Sequence, residues 1–126
     1  MLNATFAYGK LPAQDIERAK RFYEQKLGLR PFAEHADHLY FDVGGARFMV
    51  FPSNGRPSGT HDQVGFVVDD IAGRVAELRR RGVVFEENEL THDGVAELGP
   101  VRAASFKDSE GNLLNVIEGA SPLWSR

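Results

Sequence analysis

The segment that decides the fold is LPAQDIERAKRFYEQKLGL, residues 11–29. From Asp15 onward its apolar residues recur at spacings of three and four, which places them on one face of a helix: Ile16, Ala19, Phe22, Tyr23 and Leu27. Asp15 suits the start because its carboxylate accepts hydrogen bonds from the free amides of a first turn. Gly28 suits the end because glycine tolerates the left-handed conformation that terminates helices. The segment predicts an amphipathic helix over residues 15–27 that packs on a core.

Strand patterns flank this helix on both sides. Residues 4–10 alternate, with Phe6 and Tyr8 on one face, and predict a strand that ends before Pro12. After the helix, three short strands are predicted over residues 30–34, 39–43 and 47–51. The Gly-Gly pair at 44–45 predicts a two-residue hairpin turn between the last two strands. The first half is therefore a strand, a helix and three strands.

The same order recurs after residues 52–61, a loop rich in Pro, Ser and Gly that is interpreted as a linker. The second half has a predicted strand at 63–68, a helix at 70–81 and strands at 83–86, 101–107 and 113–118. Residues 87–100 are predicted to be a long polar loop, and 108–112 a turn. The chain is thus predicted to be a single α+β domain of two modules, residues 1–51 and 62–119, whose sheets surround a shared cleft.

The composition excludes several classes of protein. The 126 residues fit one domain, and 42% of them are hydrophobic. The 18 acidic residues outnumber the 15 basic ones, which argues against a nucleic-acid partner. The lack of cysteine excludes disulfides, thiolate zinc sites and a cysteine nucleophile. With no apolar run near the ~20 residues that span a bilayer, and no signal pattern at the start, we expect no membrane partner and a cytoplasmic location.

Three motifs resemble one known family. They are Leu11–Ala19 with Phe22-Tyr23-Glu24, then Gly65–Ile71, and then Phe106–Asn112, which is similar to a Phe-x-Asp-Pro-x-Gly-Asn turn. In this order they resemble the vicinal oxygen chelate superfamily, which includes glyoxalase I, bleomycin-resistance proteins and extradiol dioxygenases. The resemblance implies two βαβββ modules that form a curved mixed-sheet half-barrel around a cleft. It also implies a pocket in which a divalent metal commonly chelates two neighbouring substrate oxygens.

The metal ligands that the resemblance implies can be checked by position. Metal-binding members have a His seven residues before the Asp that opens each helix and a Glu four residues after the Gly of the Gly-Asn turn. In this chain those positions hold Tyr8, Gln63 and Asn115. A phenol and two amides carry no anionic charge and bind a divalent cation poorly. We therefore expect no metal and no other cofactor.

The four histidines offer few alternative ligands. His35 and His38 lie among acidic residues, but residues three apart on a strand point to opposite faces, so a solvated loop is expected there. His61 has the same strand parity as Gln63, and a shifted register would bring it to the mouth of the pocket. His92 precedes an Asp-Gly turn signal. Ordinary surface positions are the expectation for His61 and His92.

The predicted ligand site combines polar groups with apolar neighbours. If the superposition of the two halves holds, its residues are Tyr8, Gln63, Asn115, Phe6, Met49 and Leu113, with Arg47 at the rim. Such a surface binds organic molecules through apolar contact and a few orienting hydrogen bonds. The alternative is that the polar groups satisfy one another inside a filled barrel. No catalytic residue is predicted, since the spacing shows no Ser-His-acid group.

These observations lead to two functional hypotheses. The first is a small-molecule-binding protein without the usual metal, which sequesters or senses a partly apolar organic ligand. The second is a metal-dependent lyase, isomerase or dioxygenase that acts on vicinal oxygens, while a filled cleft would favour a pure interaction module. The resemblance also implies a homodimer, formed side by side or by exchange of modules. Trp124 is expected at the subunit interface or against its own domain.

Overall fold

The computed structural model describes residues 1–124. The strands are β1 (Gly9–Ala13), β2 (Ala33–His35), β3 (His38–Val43), β4 (Ala46–Pro52), β5 (Val64–Val67), β6 (Thr91–His92), β7 (Val95–Leu98), β8 (Val101–Lys107) and β9 (Leu113–Gly119). Helix α1 (Ile16–Phe22) continues into a π-helical segment (Tyr23–Leu27), and α2 spans Ile71–Arg80. Across residues 1–124, no helix is long and apolar enough to cross a membrane.

Both helices begin and end at residues that the sequence indicates. The side chain of Asp15 accepts a hydrogen bond from the backbone N–H of Arg18 at 3.0 Å. Asp70 does the same for the N–H of Gly73 at 3.1 Å. Gly28, which follows the π-helical segment, has φ +69° and occupies the left-handed region. The predicted cap residues of the first helix are therefore confirmed.

The strands form two sheets with the same type of topology. Sheet 1 has the order β1-β4-β3-β2, and sheet 2 has the order β5-β9-β8-β7-β6. In sheet 1, β1 pairs in parallel with β4, and in sheet 2, β5 pairs in parallel with β9. The remaining pairs are antiparallel. The predicted α+β fold of two βαβββ modules with curved mixed sheets is confirmed. The boundaries proposed for the modules and their linker stay predictions.

The two helices and the two sheets share one hydrophobic core. Tyr23 of the first helical region packs against Phe41, with ring centroids 5.1 Å apart, and Phe48 packs against Phe66 of the second module at 6.0 Å. The same core includes Ile71 from α2. Because apolar residues of both modules meet in this core, burial of apolar surface stabilises the modules together.

One predicted strand of the first module was wrong at both ends. The predicted strand 4–10 pairs with β4 only from Gly9, and it runs through Pro12 to Ala13 instead of ending before the proline. Pro12 is tolerated because β1 is the edge strand of its sheet, where a missing N–H removes no ladder hydrogen bond on the free side. Residues 4–8 consequently lie outside the sheet.

The second module also differs from the prediction. The polar stretch 87–100 was predicted to be a loop, but it contains the antiparallel strands β6 and β7. Asp93 and Gly94 join them with φ values of +51° and +81°, as a tight hairpin turn requires. The strand predicted at 83–86 is reduced to a single bridge between Phe85 and Phe106.

Candidate functional site

A cleft of about 740 Å³ lies between the two sheets. One wall comes from sheet 1 and the other from sheet 2, and the chain's only tryptophan, Trp124, lies at one side. The lining residues with a part in the site are Arg47, Asp62, Gln63, Gly65, Asn115 and Ile117. The indole of Trp124 donates a hydrogen bond to the carbonyl of Gly119 at 2.9 Å, so this side chain rests on its own domain.

Asn115 lies on the sheet 2 wall and is only 8% exposed. Its amide Nδ2 donates to Asp62 Oδ2 at 3.1 Å, and Ser105 Oγ donates to Asp62 Oδ1 at 2.9 Å. The carbonyl oxygen Oδ1 of Asn115 has no hydrogen-bond partner anywhere in residues 1–124. A Cβ at Gly65 would lie 2.8 Å from that oxygen, so glycine is the residue that leaves room for the Asn115 side chain.

Gln63 lines the same cleft, but both ends of its amide are used within the protein. Its Nε2 donates to Asn112 Oδ1 at 3.2 Å, and its Oε1 accepts from the backbone N–H of Leu113 at 3.1 Å. Asn112 is fully buried and also donates to the carbonyl of Pro12 at 2.9 Å. Gln63 therefore holds the start of β9 in place and leaves little hydrogen-bonding capacity for a ligand.

Arg47 lies at the rim of the cleft and has two contacts within sheet 1. Its Nε is 2.9 Å from Asp42 Oδ2, and its guanidinium lies over the ring of Phe32 at 4.6 Å. The hydrogen bond from Arg47, together with one from the backbone N–H of Gly45, lowers the pKa of Asp42 below its ordinary value. Asp42 and the ring of Phe32 therefore compensate much of the positive charge of Arg47 in the absence of a ligand.

Tyr8, Phe6 and Met49 lie away from this cleft. They line a separate aromatic groove of about 270 Å³ on sheet 1, together with Phe32 and Tyr40. Phe6 is 65% exposed and Tyr8 51% exposed, and their rings stack at 6.2 Å. Gln63, Asn115 and Arg47 therefore line the cleft together. Tyr8, Phe6 and Met49 lie apart from Gln63 and Asn115.

Leu113, the remaining residue of the predicted ligand site, is buried and lines neither hollow. Sequence reasoning missed Asp62, because this residue precedes β5 and strand alternation does not fix its direction. It also left open where Trp124 packs. The ligand-binding roles themselves stay predictions.

A buried hydrogen-bond network at the turn 108–112 supports the cleft. Tyr23 Oη donates to Asp108 Oδ2 at 2.7 Å, and Asp108 Oδ1 accepts from the backbone N–H groups of Glu110 and Asn112 at 2.8 and 2.9 Å. Burial, followed by the charge of Asp108 and the hydrogen bond to it, raises the pKa of Tyr23 well above its ordinary value. The phenol stays protonated and fixes the turn that leads into β9.

The residues at the implied metal positions do not fit a divalent cation. Tyr8 lies outside the cleft that Gln63 and Asn115 share, and the Gln63 amide is already bonded at both ends. A neutral donor set of this kind supplies no charge to compensate the desolvation of an ion. Within residues 1–124, no three His, Cys, Asp or Glu side chains come together as a metal site.

The histidines lie near or at the surface. His35 and His38 face each other across the β2–β3 hairpin, whose turn is Ala36-Asp37. His35, His61 and His92 are exposed, and His38 is half-buried. The loop expected around His35 and His38 is thus a tight hairpin.

Comparison with known proteins identifies relatives of the whole chain. The model of the Glyoxalase/Bleomycin resistance protein/Dioxygenase superfamily matches residues 5–116. The fosfomycin resistance protein FosX of Listeria monocytogenes is 13% identical, with 95% of this chain and 94% of that chain covered and a TM-score of 0.74. A glyoxalase/bleomycin resistance protein/dioxygenase of Alicyclobacillus acidocaldarius is 19% identical, with coverages of 96% and 95% and a TM-score of 0.71.

An integron cassette protein from V. cholerae is also similar in structure. It is 19% identical, 95% of this chain and 100% of that chain are covered, and the TM-score is 0.67. At these identities the similar structures show the fold alone. No protein with a curated description matches the sequence.

Proposed function

This chain belongs to the Glyoxalase/Bleomycin resistance protein/Dioxygenase superfamily, and from that membership we propose that it binds a partly apolar organic molecule in the cleft between its two sheets, without a metal. The observation that carries the proposal is the open cleft of about 740 Å³. Ligand pockets typically measure about 300–1,000 Å³ and combine apolar walls with a few polar groups. Because the cleft is not filled by side chains, a pure interaction module is disfavoured.

The lining of the cleft suits a ligand with apolar and polar parts. Val43, Phe66, Val67 and Ile117 supply apolar surface. Asn115 supplies polar atoms that sit on a rigid strand, which suits orientation of a bound molecule. We assign sequestration or sensing as the role and no catalytic residue.

Binding without a metal follows from the donor set. Neutral amide groups orient an organic ligand more readily than they compensate a divalent charge. Metal analysis of the purified protein should find far less than one equivalent of nickel, zinc, manganese or iron. A stoichiometric, tightly bound metal would contradict this part of the proposal.

We also propose that the protein is a homodimer in which the aromatic groove of sheet 1 is covered by a second copy. Members of the superfamily often dimerise. Phe6, Tyr8 and Phe32 are each more than half exposed and lie around one groove. Exposed apolar side chains that cluster in this way commonly mark an interaction surface. The cytoplasmic location stays a prediction.

Ligand binding in the cleft is tested by filling the cleft with a large side chain. Ala46 is exposed at its rim, and A46W would place an indole inside, whereas A76W puts the same side chain on the exposed face of α2. Small molecules that co-purify with each folded variant are identified by mass spectrometry. We expect the wild type and A76W to retain a common organic molecule that A46W loses. Equal retention by A46W, or no retained molecule in any variant, would overturn the proposal.

A further inference from the structure

Two carboxylates without a cationic partner within residues 1–124 line hollows on sheet 2, one of them in the cleft. A hollow of about 170 Å³ shares Asp62 with the main cleft and is also lined by Glu86 and Ser105. In the part of the chain that the structure describes, no Lys or Arg forms an ion pair with Asp62 or Glu86. Two carboxylates therefore line adjoining hollows that have Asp62 in common.

Ser105 of β8 holds the Asp62 carboxylate through its side chain and the Glu86 backbone through its carbonyl. Ser105 Oγ donates to Asp62 Oδ1 at 2.9 Å, and the backbone carbonyl of Ser105 accepts from the N–H of Glu86 at 2.8 Å. The donors to Asp62 are a hydroxyl and an amide, which orient the carboxylate and leave its charge uncompensated. A ligand that enters would meet a charged group already held in position.

A third acceptor is buried beside them. Asn115 is 8% exposed, its Nδ2 is bonded to Asp62, and its Oδ1 has no partner within residues 1–124. A buried acceptor without a donor is unfavourable, and a small rotation of the amide toward the cleft would let a ligand N–H satisfy it. The wall is thus short of hydrogen-bond donors as well as of positive charge.

The sheet 1 wall of the cleft does not supply the positive charge that the sheet 2 wall lacks. Among residues 1–124, Arg47 is the only Lys or Arg that lines these two hollows, and it is engaged by Asp42 and by the ring of Phe32. An anionic ligand would meet Asp62 and Glu86 with no free cation to offset them. A cationic ligand would supply both the charge and the N–H donors.

We propose that the cleft selects organic cations rich in N–H groups, such as amidinium or protonated amine compounds, with the charge between Asp62 and Glu86 and the apolar body against Ile117 and Trp124. This inference rests on the proposed function, because it names the class of molecule that the same cleft binds. It specifies that the ligand is positively charged, whereas the proposed function leaves the charge of the ligand open.

Three probes of nearly the same shape separate charge from size: benzamidine, benzamide and benzoate. Each is titrated into ¹⁵N-labelled protein, and the Gly65 amide and Trp124 indole signals report on the cleft. We expect benzamidine to shift both signals saturably and to bind about tenfold or more tightly than benzamide, as a charge-assisted hydrogen bond provides. Benzoate should leave both signals unchanged.

The carboxylates are tested with D62N and E86Q, and E17Q removes one charge from the exposed face of α1 as the matched control. Each of the first two should weaken benzamidine binding about tenfold, and E17Q should not. E86Q keeps the test valid if D62N disturbs Ser105 or Asn115, because the Glu86 side chain has no hydrogen bond within residues 1–124 to lose.

The outcomes separate this inference from the proposed function. Binding of benzamide or benzoate as tight as that of benzamidine overturns the preference for cations and leaves a small-molecule cleft standing. Unchanged benzamidine affinity in both D62N and E86Q also overturns it. If none of the probes shifts the Gly65 and Trp124 signals, the inference fails, and retention of a co-purified molecule by A76W but not A46W still decides the proposed function.

Discussion

The guanidinium of Arg18 forms two hydrogen bonds with the carboxylate of Glu110, 92 positions later in the chain, at 2.7 and 2.9 Å. Glu110 Oε1 also accepts from the backbone N–H groups of Gln14 and Asp15 at 3.0 Å each. A buried carboxylate of the second module thus satisfies free amides at the start of α1 in the first. The contact ties the helix of one module to the turn that precedes β9 of the other.

Replacing this carboxylate should cost stability. E110Q keeps the shape of the side chain but removes the charge that Arg18 and the two amides bind, and we expect a loss of about 2 kcal/mol in the free energy of unfolding. Urea denaturation at pH 7 measures it. E97Q, a change at an exposed glutamate, should stay within about 0.5 kcal/mol of the wild type. Equal stabilities of E110Q and E97Q would show that the contact does not tie the modules together.

The same residue predicts a pH dependence. Burial alone would raise the pKa of Glu110, but hydrogen bonds from Arg18, Ser109 and the Asp15 amide, with the charge of Arg18, lower it from 4.5 to about 2. A lowered pKa means that the stabilisation is complete above pH 4.5 and is lost as the pH falls toward 2. The free energy of unfolding should therefore fall more steeply in the wild type than in E110Q across that window. Parallel curves would contradict the assignment.

The close approach of Gly65 to Asn115 predicts a coupling between the two positions. In G65A the new Cβ would lie 2.8 Å from Asn115 Oδ1, so the amide must move and its hydrogen bond to Asp62 weakens. We expect G65A to cost about 1 kcal/mol in the wild type and close to nothing in an N115A background. A double-mutant cycle by urea denaturation measures this difference. The same cost in both backgrounds would mean that Asn115 does not fill the space above Gly65.

The aromatic groove predicts the oligomeric state. Light scattering should give a mass near twice the 14.0 kDa of one chain. F32D places a charge in the exposed aromatic groove and should yield monomers, whereas V84D, at an exposed position of the second module, should remain dimeric. A wild-type mass of one chain, or an F32D dimer of unchanged affinity, would rule out this interface.

Local signals predicted most of the secondary structure. Helix caps depend on neighbouring residues alone, so Asp15 and Gly28 indicated the bounds of the first helical region. The pair Gly44-Gly45 has φ values of +59° and +91°, as a two-residue hairpin turn requires. The β6–β7 hairpin was missed although Asp93-Gly94 is a hairpin turn signal, because the strands on either side are only two and four residues long and alternate weakly.

The site was harder to predict than the fold. The superposition of the two halves put Gln63, Asn115 and Tyr8 in one site, and Gln63 and Asn115 both line the cleft. Tyr8 lies in the aromatic groove instead, because residues 4–8 have no strand partner and a strand register cannot be extended to them. The side chain of Asp62 and the backbone of Glu86 both contact Ser105 of a third segment, and no spacing in the sequence reveals these contacts.

The most direct test of the account is an NMR screen of metal-free, ¹⁵N-labelled protein against a library of small organic compounds. We predict that at least one compound shifts the signals of Gly65 and the Trp124 indole saturably, and that added zinc, nickel or manganese leaves its affinity unchanged. Both residues line the cleft, so these signals report on it. Binding that appears only after a divalent metal is added would contradict the central claim, as would saturable shifts confined to other parts of the chain.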